Sequence, residues 1–293
     1  MWIESFLAYL RLERNYSEKT VVSYGIDLRE FEGYFKEADA ELDFTAVDAD
    51  VVRNWVMHLM DEGRAATSVN RKLSSLRSFY RFLLRKKAIT VNPMAKVVGP
   101  KKKKPLPSFV REKDMDRLLD GLTFEEGFEG CRDRMVLEVF YATGMRLSEL
   151  IGLDDADVDF SARLIKVTGK RNKQRLIPFG NELEEDLRIY IKVRDEALPN
   201  GSDAFFVRKD GKRMYPMQVY RLVKRNLSKV VTLKKRSPHV LRHTFATAML
   251  NDCAELRAVK ELLGHESLTT TEVYTHTTFE ELKKVYELAH PRA

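Results

Sequence analysis

Two cysteines in 293 residues, Cys131 and Cys253, are too few and too far apart for a disulfide framework or a thiolate metal cluster, so both read as reduced thiols. No apolar run approaches the length needed to span a bilayer. The opening Met1-Trp2-Ile3-Glu4-Ser5 puts an acid where a secretory signal would be basic. Internal repeats are lacking, and biased composition is confined to one lysine-rich segment. These absences argue against a secreted disulfide scaffold, a helical membrane protein and a repeat array. They leave the expectation of a cytoplasmic protein with no membrane partner.

What is present begins with size and charge. A chain of 293 residues exceeds what one core usually organises, so two domains are expected. Hydrophobic residues make up 44% and charged residues 32%, the balance of a globular protein. The net charge of +7 favours polyanions as partners before any specific contact forms.

The first hundred residues carry helical periodicity almost throughout. Trp2, Phe6 and Leu10 share one face, and Ser17 can cap a second helix through Phe31 and Phe35. Val52, Val56 and Leu59 mark a third, and a fourth starts near Thr67 with Leu73, Leu76, Tyr80 and Leu83 inward. Beside that last apolar stripe run Arg77, Arg81 and Arg85, spaced i, i+4, i+8. Spacing alone fits a solvated face as well as a phosphate-binding one.

Residues 1–98 are therefore expected as a helical domain and 99–109 as a linker. Gly99-Pro100-Lys101-Lys102-Lys103-Lys104-Pro105 combines missing donors with like-charge repulsion and suits no packed element. A lysine run between two basic domains fits a strap across a nucleic-acid backbone, or an ordinary linker.

Residues 110–293 read as the second domain, mostly α with a small sheet. A helix ending near Tyr141 stops at Gly144. Strands at 163–168 and 175–178 flank the basic tip Gly169-Lys170-Arg171-Asn172-Lys173. Helices follow near Glu182, Met217, Pro238, Glu255 and Thr269, and an amphipathic one spans 279–289.

Several groups in this half suit chemistry on a phosphodiester. Ser237 and Pro238 mark a helix start that puts His239 and Arg242 in the first turns, where the helix dipole already favours an anion. Arg146 follows Gly144, with Glu149 three residues on and able to brace the guanidinium. An ordinary surface pair is the simpler reading of that step. His265 follows Leu262-Leu263-Gly264, and the Thr269 to Glu272 spacing of a capping box starts a turn carrying Tyr274.

The segments Thr143-Gly144-Met145-Arg146-Leu147-Ser148-Glu149-Leu150, Thr168-Gly169-Lys170, His239-Val240-Leu241-Arg242-His243 and Leu263-Gly264-His265 through Tyr274-Thr275-His276 together resemble the tyrosine recombinase (phage integrase) signature. The ending His290-Pro291-Arg292-Ala293 resembles its Xer branch. The resemblance covers nearly the whole chain and matches all six active-site positions in order. It implies a two-domain DNA clamp, mainly α with a small β-sheet: an N-terminal four-helix, SAM-like core-binding domain and an α+β catalytic domain.

It further implies strand exchange without metal or nucleotide cofactor, through a 3′-phosphotyrosyl bond at Tyr274 and a Holliday junction. Arg146 and Arg242 would neutralise the nonbridging oxygens, and His265 would add a hydrogen bond. Lys170, or else Lys173, would protonate the leaving 5′-oxygen, and His239 would take or relay the phenolic proton. Arg77, Arg81, Arg85, Lys101, Lys102, Lys103, Lys104 and Lys173 would bind DNA. The implied partners are double-stranded DNA at a specific site, a homo- or hetero-tetramer with a paralogous recombinase assembled through helix 279–289, and the septal DNA translocase; docking of that helix on its own core is the alternative, since periodicity shows only that a face is buried. The role implied is chromosome-dimer resolution. Mobile-element integration, type IB topoisomerase-like relaxation and non-catalytic DNA binding are the competing roles.

Overall fold

The computed structural model describes residues 1–102, 108–122, 124–169, 172–199, 201–252, 254–264 and 279–292. The chain divides into two compact units, Met1–Pro105 and Leu106–Ala293.

The first unit holds α1 (Trp2–Leu12), α2 (Glu18–Ala38), α3 (Ala49–Asp61) and α4 (Ala66–Arg85). Ser17 caps α2 by accepting from the Thr20 amide, and Asp48 caps α3 through the Asp50 and Val51 amides. Aromatic side chains fill the centre: Phe31 meets Trp55 at 4.8 Å and Phe44 meets Phe79 at 4.8 Å between ring centroids. Asp27 is fully buried in α2, where it accepts from Arg71, Ser75 and Lys72, all on α4. The chain after α4 is tied back by Arg77, which donates to the Val97 carbonyl at 3.0 Å, and by Asn70, which donates to Pro100 at 2.8 Å.

The second unit contains α5 (Glu112–Leu119), α6 (Phe128–Thr143), α7 (Leu147–Ile151), β1 (Val158–Asp159), β2 (Leu164–Thr168), β3 (Gln174–Pro178), α8 (Asn181–Ala197), α9 (Pro216–Val230), α10 (Pro238–Asn251), α11 (Leu256–Leu263) and α12 (Phe279–Ala289). α6 is buried on every side, from Met135 to Thr143 without a break, which makes it the central helix. The sheet is antiparallel in the order β1-β2-β3, with Ile165 opposite Ile177 and Val167 opposite Arg175. The two longer strands fall where alternation places them. β1 escapes sequence reading because two residues cannot display a period of two.

One expected detail is corrected. Ser237 does occupy the N-cap of α10 with Pro238 at the first helical position, but its hydroxyl makes no capping bond. The Val240 amide donates to the Ser237 carbonyl at 2.8 Å. The helix expected near Thr269 lies outside the described residues.

α12, expected to pack on a neighbouring protomer, docks here on its own core, burying Tyr286 and Ala289 in a cluster with Phe245, Met249, Val259, Leu262 and Leu263 of α10 and α11. Beyond it, the His290 ring stacks on Tyr286 and Phe245, and buried Arg292 pairs with Glu182 at 3.0 Å, Glu138 at 3.4 Å and Asp120. Among the described residues no helix is long and apolar enough to cross a membrane.

Candidate active site

Two left-handed glycines build the floor of the site. Gly144 ends α6 at φ +59°, and a Cβ there would fall 2.5 Å from Phe245 and 2.9 Å from Leu263. Any larger residue would therefore push apart the end of α6, α10 and α11 as well as strain the turn. Gly264 ends α11 at φ +64°, close against the Arg175 side chain.

Arg146 and Glu149 are no ordinary surface pair. The Glu149 side chain has no solvent exposure and accepts four hydrogen bonds. Arg146 supplies two, from its amide to Oε2 and from Nη1 to Oε1, both at 2.7 Å. Arg175 on β3 supplies the others, from Nη1 at 2.8 Å and Nη2 at 2.9 Å, as a bidentate fork. Burial alone would push the Glu149 carboxyl up, but the bonds and charge of Arg175, with those of Arg146, outweigh it and hold the group at about 2. Glu149 is thus an anion at neutral pH, fixed between two cations.

Arg242, buried in α10, donates from Nη1 to the Gly144 carbonyl at 2.7 Å and from Nη2 to the Leu263 carbonyl at 2.6 Å. Burial, and after it the like charges of Arg146 and Arg175, lowers this guanidinium to about 10, which still leaves it charged at neutral pH.

The three arginines converge on one object. Arg175 Nε donates to Leu262 O at 2.9 Å, Arg242 to Leu263 O at 2.6 Å and Arg146 Nη2 to Gly264 O at 2.8 Å. Three consecutive carbonyls at the C-terminal end of α11, where a helix carries partial negative charge, are each held by a cation from a different element. Positive charge is concentrated at the point where the chain leaves α11 toward residue 265.

Of the residues singled out from sequence, Arg146 and Arg242 are brought together around the α11 terminus. His239 lies exposed in the first turn of α10, three residues before buried Arg242. Tyr274, His265, Lys170, Lys103 and Lys104 lie outside the described residues. Lys173 and Lys101 and Lys102 are exposed. Arg81 and Arg85 are exposed on α4, where Arg85 donates to the Tyr9 hydroxyl at 2.7 Å, whereas Arg77 is half-buried on Val97.

Two signals were missed. Arg175 falls on the same face of β3 as buried Ile177, and an inward cation on a strand demands a buried counter-charge. The run 211–251, bracketed by Asp210 and Asp252, holds ten Lys and Arg and no acid. It includes α9, which turns Arg221, Lys224 and Lys229 to solvent and buries Val219, Leu222, Val223 and Leu227.

Against family profiles, residues 108–281 match the phage integrase family and residues 3–87 match the phage integrase N-terminal SAM-like domain. The chain belongs to that family: it is a tyrosine recombinase, an enzyme that cleaves and rejoins DNA strands through a tyrosine nucleophile. Among its relatives, tyrosine recombinase XerC of Chlorobaculum tepidum is 42% identical over 100% of this chain and 95% of its own length. Tyrosine recombinase XerC of Halalkalibacterium halodurans is 40% identical over 100% of this chain and 98% of its own. The solved XerH site-specific recombinase bound to a palindromic difH substrate has the same fold, with a TM-score of 0.76 at 19% identity, covering 99% of this chain and 92% of that one. A lambda integrase dimer bound to a core site gives 0.69 at 18% identity, over 94% and 98%.

Proposed function

We propose that this chain recombines duplex DNA at a specific site with Tyr274 as nucleophile and Arg146 and Arg242 as the phosphate clamp. The observation that carries this reading is the convergence of Arg146, Arg175 and Arg242 on the Leu262, Leu263 and Gly264 carbonyls, which concentrates fixed positive charge where the chain enters the segment bearing His265 and Tyr274. Attack by the phenolic oxygen forms a phosphotyrosyl ester and breaks the bond to the 5′-oxygen. Lys170 gives that leaving oxygen its proton, with Lys173 as the second candidate, and His239 takes the phenolic proton. Charge growing on the phosphorus oxygens is met by preorganised donors, to which His265 adds one. The reverse attack by a new 5′-hydroxyl reseals the strand without an outside energy source.

The N-terminal unit, the linker lysines Lys101 to Lys104 and the Arg77, Arg81 and Arg85 side of α4 would bind the duplex, along with the acid-free run 211–251. Four protomers would hold two duplexes, and joining them through α12 would require that helix to leave its place on α10 and α11 of its own chain. The relatives named XerC favour resolution of chromosome dimers in the cytoplasm, with a paralogous recombinase and the septal DNA translocase as partners.

The test uses a duplex recovered from a random-sequence pool by its affinity for the full chain, then nicked in its core so that cleavage traps the enzyme. Wild-type protein should become covalently attached. Tyr274→Phe should bind the duplex and form no adduct; an adduct on Tyr274→Phe at the wild-type rate refutes the assignment.

A further inference from the structure

Resting on the active-site reading above, we propose that Arg175 is a positioning residue for strand cleavage, joining β3 to both the Arg146–Glu149 pair and the end of α11. Its two Nη groups bridge Glu149 at 2.8 and 2.9 Å, and its Nε holds Leu262 O at 2.9 Å. All three bonds leave one planar guanidinium, so the distance between Glu149 and the α11 terminus is set by the width of a rigid group. Glu149 in turn holds the Arg146 amide and Nη1, so Arg175 orients Arg146 through a single buried carboxylate. Arg175 also lies 3.1 Å from where a Cβ on Gly264 would stand, which leaves that turn no room to shift toward β3.

The strand it sits on gives the arrangement a further use. β3 pairs with β2 through Val167 and Thr168, and the hairpin between them carries Lys170, the candidate general acid. Arg175 is therefore the described residue that links the strand of the proton donor to the helix end preceding the nucleophile. Groups held to the same carboxylate and the same turn keep a common frame, and a misplacement of about 1 Å can cost about 10²-fold in rate.

The test measures three things on the full chain with the nicked duplex: cleavage in a single turnover, duplex affinity and melting temperature. Arg175→Ala should slow cleavage by about 10²-fold while affinity changes by less than about threefold. Added guanidinium chloride, well below denaturing concentration, should restore part of that rate by filling the vacated site. Arg175→Lys, which has one ammonium in place of the fork, should remain about tenfold slow. The pH profile supplies a readout that packing alone would not move. Among the described residues, the charged groups facing Glu149 are Arg146 from its own turn, Arg175 from β3 and Arg242 from α10. Without Arg175 the carboxyl is pulled down less, so the acid limb of cleavage by Arg175→Ala should lie at higher pH than that of the wild type, whose Glu149 stays ionised down to about 2.

Wild-type cleavage by Arg175→Ala would overturn the proposal. So would a loss matched by lower melting temperature and affinity, with neither guanidinium rescue nor a changed pH profile. If Arg175→Ala does not fold, Arg175→Lys decides: cleavage at the wild-type rate overturns it. Arg146→Ala is the separate control, since wild-type cleavage by that variant defeats the active-site reading itself.

Discussion

Each unit of the molecule buries a carboxylate among cations, Asp27 in the first and Glu149 in the second, and these two are used differently. Asp27 accepts from Arg71, Lys72 and Ser75, all within five positions of α4. Its bonds add one clamp between two helices that already pack. Glu149 accepts from Arg146 ahead of α7 and from Arg175 on β3, and both donors reach on to the end of α11. A carboxylate whose partners share one rigid helix stabilises a fold. One whose partners come from separate elements and carry further hydrogen bonds outward aligns those elements with one another.

Substitutions can break that contrast. The largest effect expected is at Arg242: Arg242→Ala should slow cleavage about 10²- to 10³-fold in single-turnover assays, because under the proposed function it donates to the transition state, and losing such a donor costs on the order of 3 kcal/mol. Next comes the paired comparison. Asp27→Asn leaves Arg71 and Lys72 without their buried anion and should cost about 3 kcal/mol in denaturant unfolding, with cleavage per folded molecule kept. Glu149→Gln should instead depress cleavage about 10²-fold at unchanged duplex affinity. A larger cleavage defect in folded Asp27→Asn than in Glu149→Gln would erase the distinction.

A third site sharpens it from the far end of the chain. Burial lowers the His290 imidazole to about 4, against the pull of its bond to the Tyr141 carbonyl. A histidine with a depressed folded pKa contributes stability that is complete above its unfolded value near 6.5 and is lost as pH falls toward about 4. At about pH 5 the loss should reach about 2 kcal/mol. Burial also pushes the Glu138 carboxyl up to about 8, a slope of opposite sign common to wild type and variant. Unfolding of His290→Phe followed between about pH 7 and about pH 5 should therefore show a shallower acid loss than wild type, and equal slopes would count against a neutral buried His290. The smallest effect belongs to α4: Arg81→Ala should lower the salt slope of duplex binding by about one counterion, measured as log affinity against log salt.

The contrast between the units also explains what the sequence could yield. The helices of the first unit follow from local periodicity, and Ser17 caps its helix as its position suggests. Gly144 and the Arg146–Glu149 spacing were legible because turn, fork and brace lie within six residues. The convergence on Leu262, Leu263 and Gly264 was not, because its donors lie from 21 to 118 residues away. Periodicity cannot see such distances, and only the inward position of Arg175 on β3 hinted at a buried anion. Ser237 went the other way: its type suits a cap, yet its hydroxyl makes no capping bond.

Fixed cations around the entrance to one tyrosine-bearing segment are the core of this account, and the ester they would stabilise can be located directly. Tryptic peptide 261–283 contains a single tyrosine, Tyr274. Protein trapped on the nicked duplex, digested with nuclease and trypsin and weighed by mass spectrometry, should carry its residual nucleotide on that peptide, with fragmentation placing it on the phenol. A nucleotide found on any other peptide would contradict the account.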